Sequence, residues 1–381
     1  MKRFLKLSII FLAVSLLFMN FPQKSQASVS VSASSAVLMD QESGRVLFEK
    51  GAHEKKRIAS ITKIMTAILA IESGKLNDMV KVSVNATKAE GSSVYLKPNE
   101  KIKLEDLVYG LMLRSGNDTA VAIAEYVGGS LDGFVYLMNQ KAQEIGMANT
   151  HFANPHGLDN FENHYSTAYD MALLTRYAMQ NETYQLISGT KIHKAPNPDE
   201  KWDRVWRNKN RMLTKYKYST GGKTGYTKRA KRTLVSTAAK GDMNLIAVTL
   251  NAPDDWNDHI SMFEYGFDQY DLVEIVPKGN IDTIKDKLYQ NHVYFKRSFT
   301  YPVTKEEKDF FSVKYKLKKP NEEWLKSDPE VVGKATVYLD QKPIEEISIF
   351  YNPDENEDKV SFLDYFKNLL LTVLSVGSTN G

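Results

Sequence analysis

The strongest constraint on this chain is residues 57–72, Arg57-Ile58-Ala59-Ser60-Ile61-Thr62-Lys63-Ile64-Met65-Thr66-Ala67-Ile68-Leu69-Ala70-Ile71-Glu72. The stretch reads as a helix whose apolar residues wrap most of its circumference, and such a helix is buried. Yet its first turn carries Ser60 and Lys63, and the i, i+3 spacing puts both side chains on one face. A lysine driven towards an apolar interior has its pKa lowered, because burial disfavours the charged form. A neutral amine beside a serine hydroxyl can take that proton and make the serine a nucleophile. The competing reading is a polar helix start with Lys63 reaching back to water. A lone S-x-x-K is common by chance and does not separate the two.

What separates them is the company further along. Ser115-Gly116-Asn117 falls in a tight turn between two helical patterns, where glycine permits the backbone a turn requires. That turn would present a hydroxyl and an amide into a cleft. Lys223-Thr224-Gly225 follows Gly221-Gly222 at the end of a strand-like run. An edge strand there can pair with an extended peptide through main-chain bonds, and Gly225 would let a ligand backbone approach closely. Lys223 and the Thr224 hydroxyl suit a substrate carboxylate. A phosphate-binding loop ending in Gly222-Lys223-Thr224 would need glycine at 217, which is Lys217, and a strand-to-helix turn. The seven histidines include no H-E-x-x-H pair. His156 and His164 fit loop structure better than metal binding, so neither a metal nor another cofactor is expected.

With 381 residues, 42% hydrophobic and 25% charged, the chain can build at least two packed domains. A net charge of +4 is too small to argue for nucleic acid. Cysteine is absent, which excludes disulfides, a catalytic thiolate and Cys-ligated zinc together. The N-terminus reads as a secretory signal over residues 1–27. Lys2, Arg3 and Lys6 precede a mostly apolar run over residues 7–21, and Ser25-Gln26-Ala27 fits the cleavage pattern, with the cut after Ala27. The product would then work outside the cytoplasmic membrane.

Residues 35–49 read as a β-hairpin with a glycine turn. Helical patterns cover residues 104–113, 119–127, 131–145 and 167–178, and residues 194–217 read as a polar surface loop or lobe. Three strand-like runs follow at 218–226, 232–239 and 245–250, then a helix at 260–270. Strands at both ends with helices between predict an α+β domain over residues 28–271, in which the first hairpin and the last three strands complete one antiparallel sheet. Five further strand-like runs predict a small all-β domain over residues 272–352. After a polar linker, residues 362–374 form an amphipathic pattern too short to span a bilayer but suited to its interface. Residues 353–381 thus read as linker and membrane-anchoring helix.

The three motifs, in this order, match the S-x-x-K, S-x-N and K-T-G set of the penicillin-interacting serine enzymes. Asn154-Pro155-His156-Gly157-Leu158-Asp159 and then His164-Tyr165-Ser166-Thr167-Ala168-Tyr169-Asp170-Met171-Ala172 extend the resemblance. The mature chain resembles the low-molecular-mass penicillin-binding proteins of the D-alanyl-D-alanine carboxypeptidase kind, peptidase family S11. It looks closest to the sporulation-associated members of Gram-positive spore formers. The resemblance implies a penicillin-binding/serine β-lactamase-like transpeptidase domain, a β-rich second domain and a peripheral C-terminal anchor. It implies that peptidoglycan stem peptides ending in D-Ala-D-Ala are substrates and that β-lactams are covalent inhibitors.

The same resemblance makes Ser60 the nucleophile, Lys63 its base, and Ser115 a proton relay to the leaving group. Asn117 would bond the substrate peptide, and Lys223 and Thr224 its terminal carboxylate. Backbone N–H groups of Ser60 and Tyr226, beyond Gly225, would form an oxyanion hole. Several family members add an arginine after the later strands to bind that carboxylate. Residues 251–258 hold none, which leaves Arg229 or Arg232 as substitutes. The first alternative is a serine β-lactamase on the same fold. It lacks the expected E-x-x-L-N run, and the neighbours of Glu162 do not match it. A second alternative, a non-catalytic wall-binding protein, sits poorly with three intact motifs.

Overall fold

The computed structural model describes residues 29–197, 200–286, 289–319 and 330–352. The secretory signal over residues 1–27 and the amphipathic segment at 362–374 lie outside the described residues. Among those described, no helix is long and apolar enough to cross a membrane.

The first unit is an antiparallel five-stranded sheet. Its strands are β1 (Ser35–Asp40), β2 (Val46–Lys50), β3 (Ser219–Thr227), β4 (Lys231–Lys240) and β5 (Met243–Leu250). They run in the order β2-β1-β5-β4-β3, so the N-terminal hairpin joins the last three strands as expected, and β3 forms an edge. Both faces are buried, which the period-2 alternation of strands makes legible. Val37 and Met39 of β1 and Ile246 and Val248 of β5 face one core; Leu38, Leu245 and Ala247 face another. The first core takes the helix α1 (Lys63–Glu72), buried at every residue except Glu72, and the helix α2 (Asn117–Gly128). The second takes Met262 and Phe263 of the helix Asp255–Gln269, which begins five residues earlier than its apolar spacing predicts.

Several expectations change on contact with the fold. The region at 194–217 is not a plain loop. It contains the paired strands Ile192–Ala195 and Arg204–Arg207 and a helical turn, Met212–Lys215, and Trp206 is buried against the first core. One buried tryptophan anchors a segment whose polar composition hid its order. The helix Glu182–Gly189 was not expected either. The helical pattern over 104–113 ends in a wide, π-type turn, Gly110–Arg114.

The second unit is all-β. A five-stranded sheet orders as Gly279–Asn280, Val293–Phe295, Lys342–Tyr351, Val331–Leu339 and Phe311–Leu317, and Asp271–Val276 pairs separately with Phe299–Val303. That last strand escaped the sequence reading because Pro302 interrupts its pattern.

Candidate active site

Ser60 does not sit on α1 itself. It lies in a 3₁₀ turn, Ala59–Thr62, that leads into the helix, and Ala59 has a φ of +48°. A non-glycine residue is strained in that region. Neighbours hold the turn in place. Thr233 of β4 donates its hydroxyl hydrogen to the Ile58 carbonyl at 2.9 Å. Gly225 of β3 lies so close that a Cβ there would stand 2.9 Å from the Ser60 nitrogen. Gly225 was expected to make room for a ligand; the structure shows it making room for the nucleophile's own backbone.

Lys63 begins α1 and is fully buried. Its Nζ lies 3.0 Å from Ser60 Oγ, 2.7 Å from Asn117 Oδ1 and 2.7 Å from the His156 carbonyl oxygen. The Asn117 amide is oriented by its Nδ2, which donates to the Glu90 carbonyl. Two of the three partners of Nζ can therefore only accept. A neutral amine has two hydrogens and one lone pair. In that neutral state Asn117 and His156 would take its hydrogens and the lone pair would face the Ser60 hydroxyl; as placed, Nζ donates to Ser60 Oγ as well. Burial is the main force holding Lys63 well below the ordinary lysine range; the nearby Lys223 and Lys209 charges push the same way, with Asp118 opposing.

Ser115 closes the π-type turn in the left-handed region, at φ +63°. The sequence reading assigned the special backbone there to Gly116. Gly116 instead has an ordinary negative φ, and it is glycine because a Cβ would lie 2.7 Å from Asp118 Oδ1. Lys223 is almost fully buried, and its Nζ meets Ser115 Oγ at 3.1 Å and the Thr224 carbonyl at 2.8 Å. Burial, then the Lys209 charge, brings its pKa down to about 7.

These groups share one cleft of about 540 Å³, lined by Ser60, Ser92, Ser115, Lys209, Thr224, Gly225, Tyr226, Arg232, Asp255 and Trp256. Lys63, Asn117 and Lys223 stand behind its wall rather than in it. Of the two candidate arginines, Arg232 reaches the cleft, paired with Asp255 at 2.5 Å and stacked over Trp256. Arg229 is taken by Glu162, which also binds Arg57. Glu162 is thereby held at the exposed surface.

Sequence reasoning missed four participants. The His156 carbonyl orients Lys63, and main-chain groups leave no residue-type signal. Asp118 accepts from Ser93 Oγ and from the Val94 and Leu96 N–H groups, which shapes the segment beside Ser92. Its place directly after Asn117 was the available clue. Ser92 and Lys209 join the cleft only through tertiary contact. His164 lies outside the cleft, with Nε2 on Thr62 Oγ1. Among the described residues no group of His, Asp or Glu side chains could hold a metal ion.

The D-alanyl-D-alanine carboxypeptidase family, peptidase S11, matches residues 22–254, and the C-terminal domain of penicillin-binding protein 5 matches residues 270–357. The D-alanyl-D-alanine carboxypeptidase DacF of Bacillus subtilis is 39% identical over 257 residues, covering 65% of each chain. The chain thus spans just under two thirds of that relative. DacA of Haemophilus influenzae is 28% identical over 367 residues, 90% of each chain. The crystal structure of penicillin-binding protein 5 from Haemophilus influenzae superposes with a TM-score of 0.71 at 27% identity, over 86% of this chain and 98% of that one. Since the S11 family accounts for more than half of the sequence, this chain belongs to it: peptidase family S11, the D-alanyl-D-alanine carboxypeptidases.

Proposed function

We propose that this protein is a serine-type carboxypeptidase that removes the terminal D-alanine from peptidoglycan pentapeptides. One observation carries the reading: the buried Lys63 Nζ lies 3.0 Å from Ser60 Oγ, with Asn117 Oδ1 and the His156 carbonyl as its other partners. In the proposed reaction Ser60 Oγ attacks the D-Ala-D-Ala carbonyl while its proton passes to Lys63. The oxyanion lies between the N–H groups of Ser60 and Tyr226. Ser115, backed by Lys223, delivers a proton to the departing D-alanine nitrogen. Thr224 and Lys223 hold the terminal carboxylate, with Arg232 as the arginine nearest to it, and Asn117 bonds the peptide. Water then releases the acyl group. β-Lactams imitate the dipeptide and acylate Ser60.

The β-lactamase alternative finds no support at Glu162, whose carboxylate is bound outside the cleft by Arg57 and Arg229. We assign residues 28–271 to the catalytic domain and 272–352 to the β-rich domain. Residues 1–27 act as an export signal, and 362–374 rest on the outer face of the membrane. The resemblance of the motifs to sporulation-associated members of the family suggests a role in sporulation. The test is labelling of the purified protein with a fluorescent penicillin, followed by mass mapping. The expected adduct is on the Ser60 peptide. A Ser60→Ala protein that still released D-alanine at the normal rate would overturn the assignment.

A further inference from the structure

His164 is buried and shares no atom with the cleft, yet its hydrogen bonds lead to the nucleophile. The Ala153 N–H donates to His164 Nδ1 at 3.0 Å. Nδ1 therefore carries the lone pair and Nε2 the hydrogen. Nε2 lies 2.8 Å from Thr62 Oγ1, and Thr62 Oγ1 donates to the Ala59 carbonyl at 2.8 Å. The direction of the chain is thus fixed from end to end: Ala153 N–H, His164, Thr62, Ala59 C=O.

The last link matters because a peptide unit is planar and trans. The carbonyl of Ala59 and the N–H of Ser60 belong to one such unit and point in opposite directions. Anchoring that carbonyl aims the N–H. The anchor works against a strained residue, since Ala59 has a φ of +48°. Gly157 packs on the same carbonyl, where a Cβ would come within 1.9 Å of the oxygen.

We propose that His164 is a positioning residue that, through Thr62 and the Ala59 carbonyl, aims the Ser60 N–H into the cleft as an oxyanion donor. The inference rests on the proposed acylation of Ser60. It adds that the segment between the helices Leu131–Glu144 and Ala168–Ala178 tunes the chemical step rather than ligand binding. Accepting a hydrogen bond at the Ala59 oxygen also polarises the peptide and strengthens the N–H opposite.

The test uses the full chain and pre-steady-state labelling with a fluorescent penicillin, which separates the acylation rate from the preceding dissociation constant. Thr62→Val removes the hydroxyl with little change of shape, and Thr62→Ser keeps it. Thr62→Val should slow acylation about tenfold or more with the dissociation constant unchanged; Thr62→Ser should stay near the parent. His164→Gln keeps a donor where Nε2 stood, and His164→Asn keeps only an acceptor where Nδ1 stood. The first should retain the rate and the second lose it. His164→Asn with Thr62→Val together should be no slower than either alone, because both cut one chain. Equal acylation rates across Thr62→Val and Thr62→Ser, or full additivity in the double variant, would overturn the inference. A parent protein that penicillin does not acylate at Ser60 would instead overturn the carboxypeptidase reading beneath it.

Discussion

The two units of this molecule bury different kinds of residue. Within residues 35–259 the interior holds Lys63, Lys223, Asn117, Asp118, His164, Asp170, Asp258 and His259 beside the aliphatic core. From residue 270 onward, every buried residue among those described is apolar or aromatic. Burying a polar group costs free energy unless it is hydrogen-bonded, and burying a charge costs more. The first unit carries that cost at several places; under Ser60 the desolvated amine is met by Ser60 Oγ, Asn117 Oδ1 and the His156 carbonyl. Among its described residues the second unit buries no charged side chain. Arg45, in the hairpin between β1 and β2, joins the two. It donates to the Pro302 carbonyl at 2.6 Å, pairs with Glu307, and lies over the rings of Tyr270 and Tyr301.

If the buried amine is the source of reactivity, removing its ability to be neutral should have the largest effect. Lys63→Arg should reduce penicillin acylation by roughly a thousandfold or more, since a guanidinium keeps its proton. A variant acylated at a near-normal rate would erase the contrast between the units.

The second effect is on stability in acid. Burial, with the Lys63 charge as the next cause, brings His156 down to about 3; burial likewise brings His164 down to about 4. An unfolded chain binds protons at these rings from about pH 6.5, whereas the fold refuses them until lower pH. Stability is therefore intact above pH 6.5 and falls as pH drops towards 4, by roughly 3 kcal/mol for His164 alone. Melting curves at pH 7 and 4.5 should show this loss, and His164→Gln should shrink it. An unchanged pH slope in that variant would place the acid sensitivity elsewhere.

Arg45→Ala tests the joint between the units. We expect a loss of about 1–2 kcal/mol, faster proteolysis between the units, and unchanged acylation by soluble penicillin. A fall in acylation would mean that the second unit shapes the cleft. The smallest effect belongs to the outer face of the second unit. Lys334 and Glu346 pair at 2.8 Å in the open, and Lys334→Ala should shift stability by less than about 0.5 kcal/mol. A larger loss in chemical denaturation would show that the second unit depends on its charges after all.

Much of this was readable from local pattern. The apolar circumference of α1, the alternation in β1 and β5, and three short motifs each lie within a few consecutive residues. Strand or helix periodicity makes such features visible. The helix Glu182–Gly189 and the strand Phe299–Val303 were not readable, because the helix is only eight residues long and Pro302 breaks the strand's period. Nor was the burial of Trp206, which depends on what packs over it.

The sequence by itself determined which side chains could do chemistry here, Ser60 and Lys63 on an apolar helix pattern with Ser115, Asn117 and Lys223 in two further motifs, because side-chain type and spacing are local properties. Only the tertiary structure decided how they are armed. The partner that takes a hydrogen from Lys63 is a carbonyl 93 residues away, and the residue under backbone strain is Ala59 rather than a glycine. Main-chain groups are the same in every residue, so their placement is written in the fold and not in any motif.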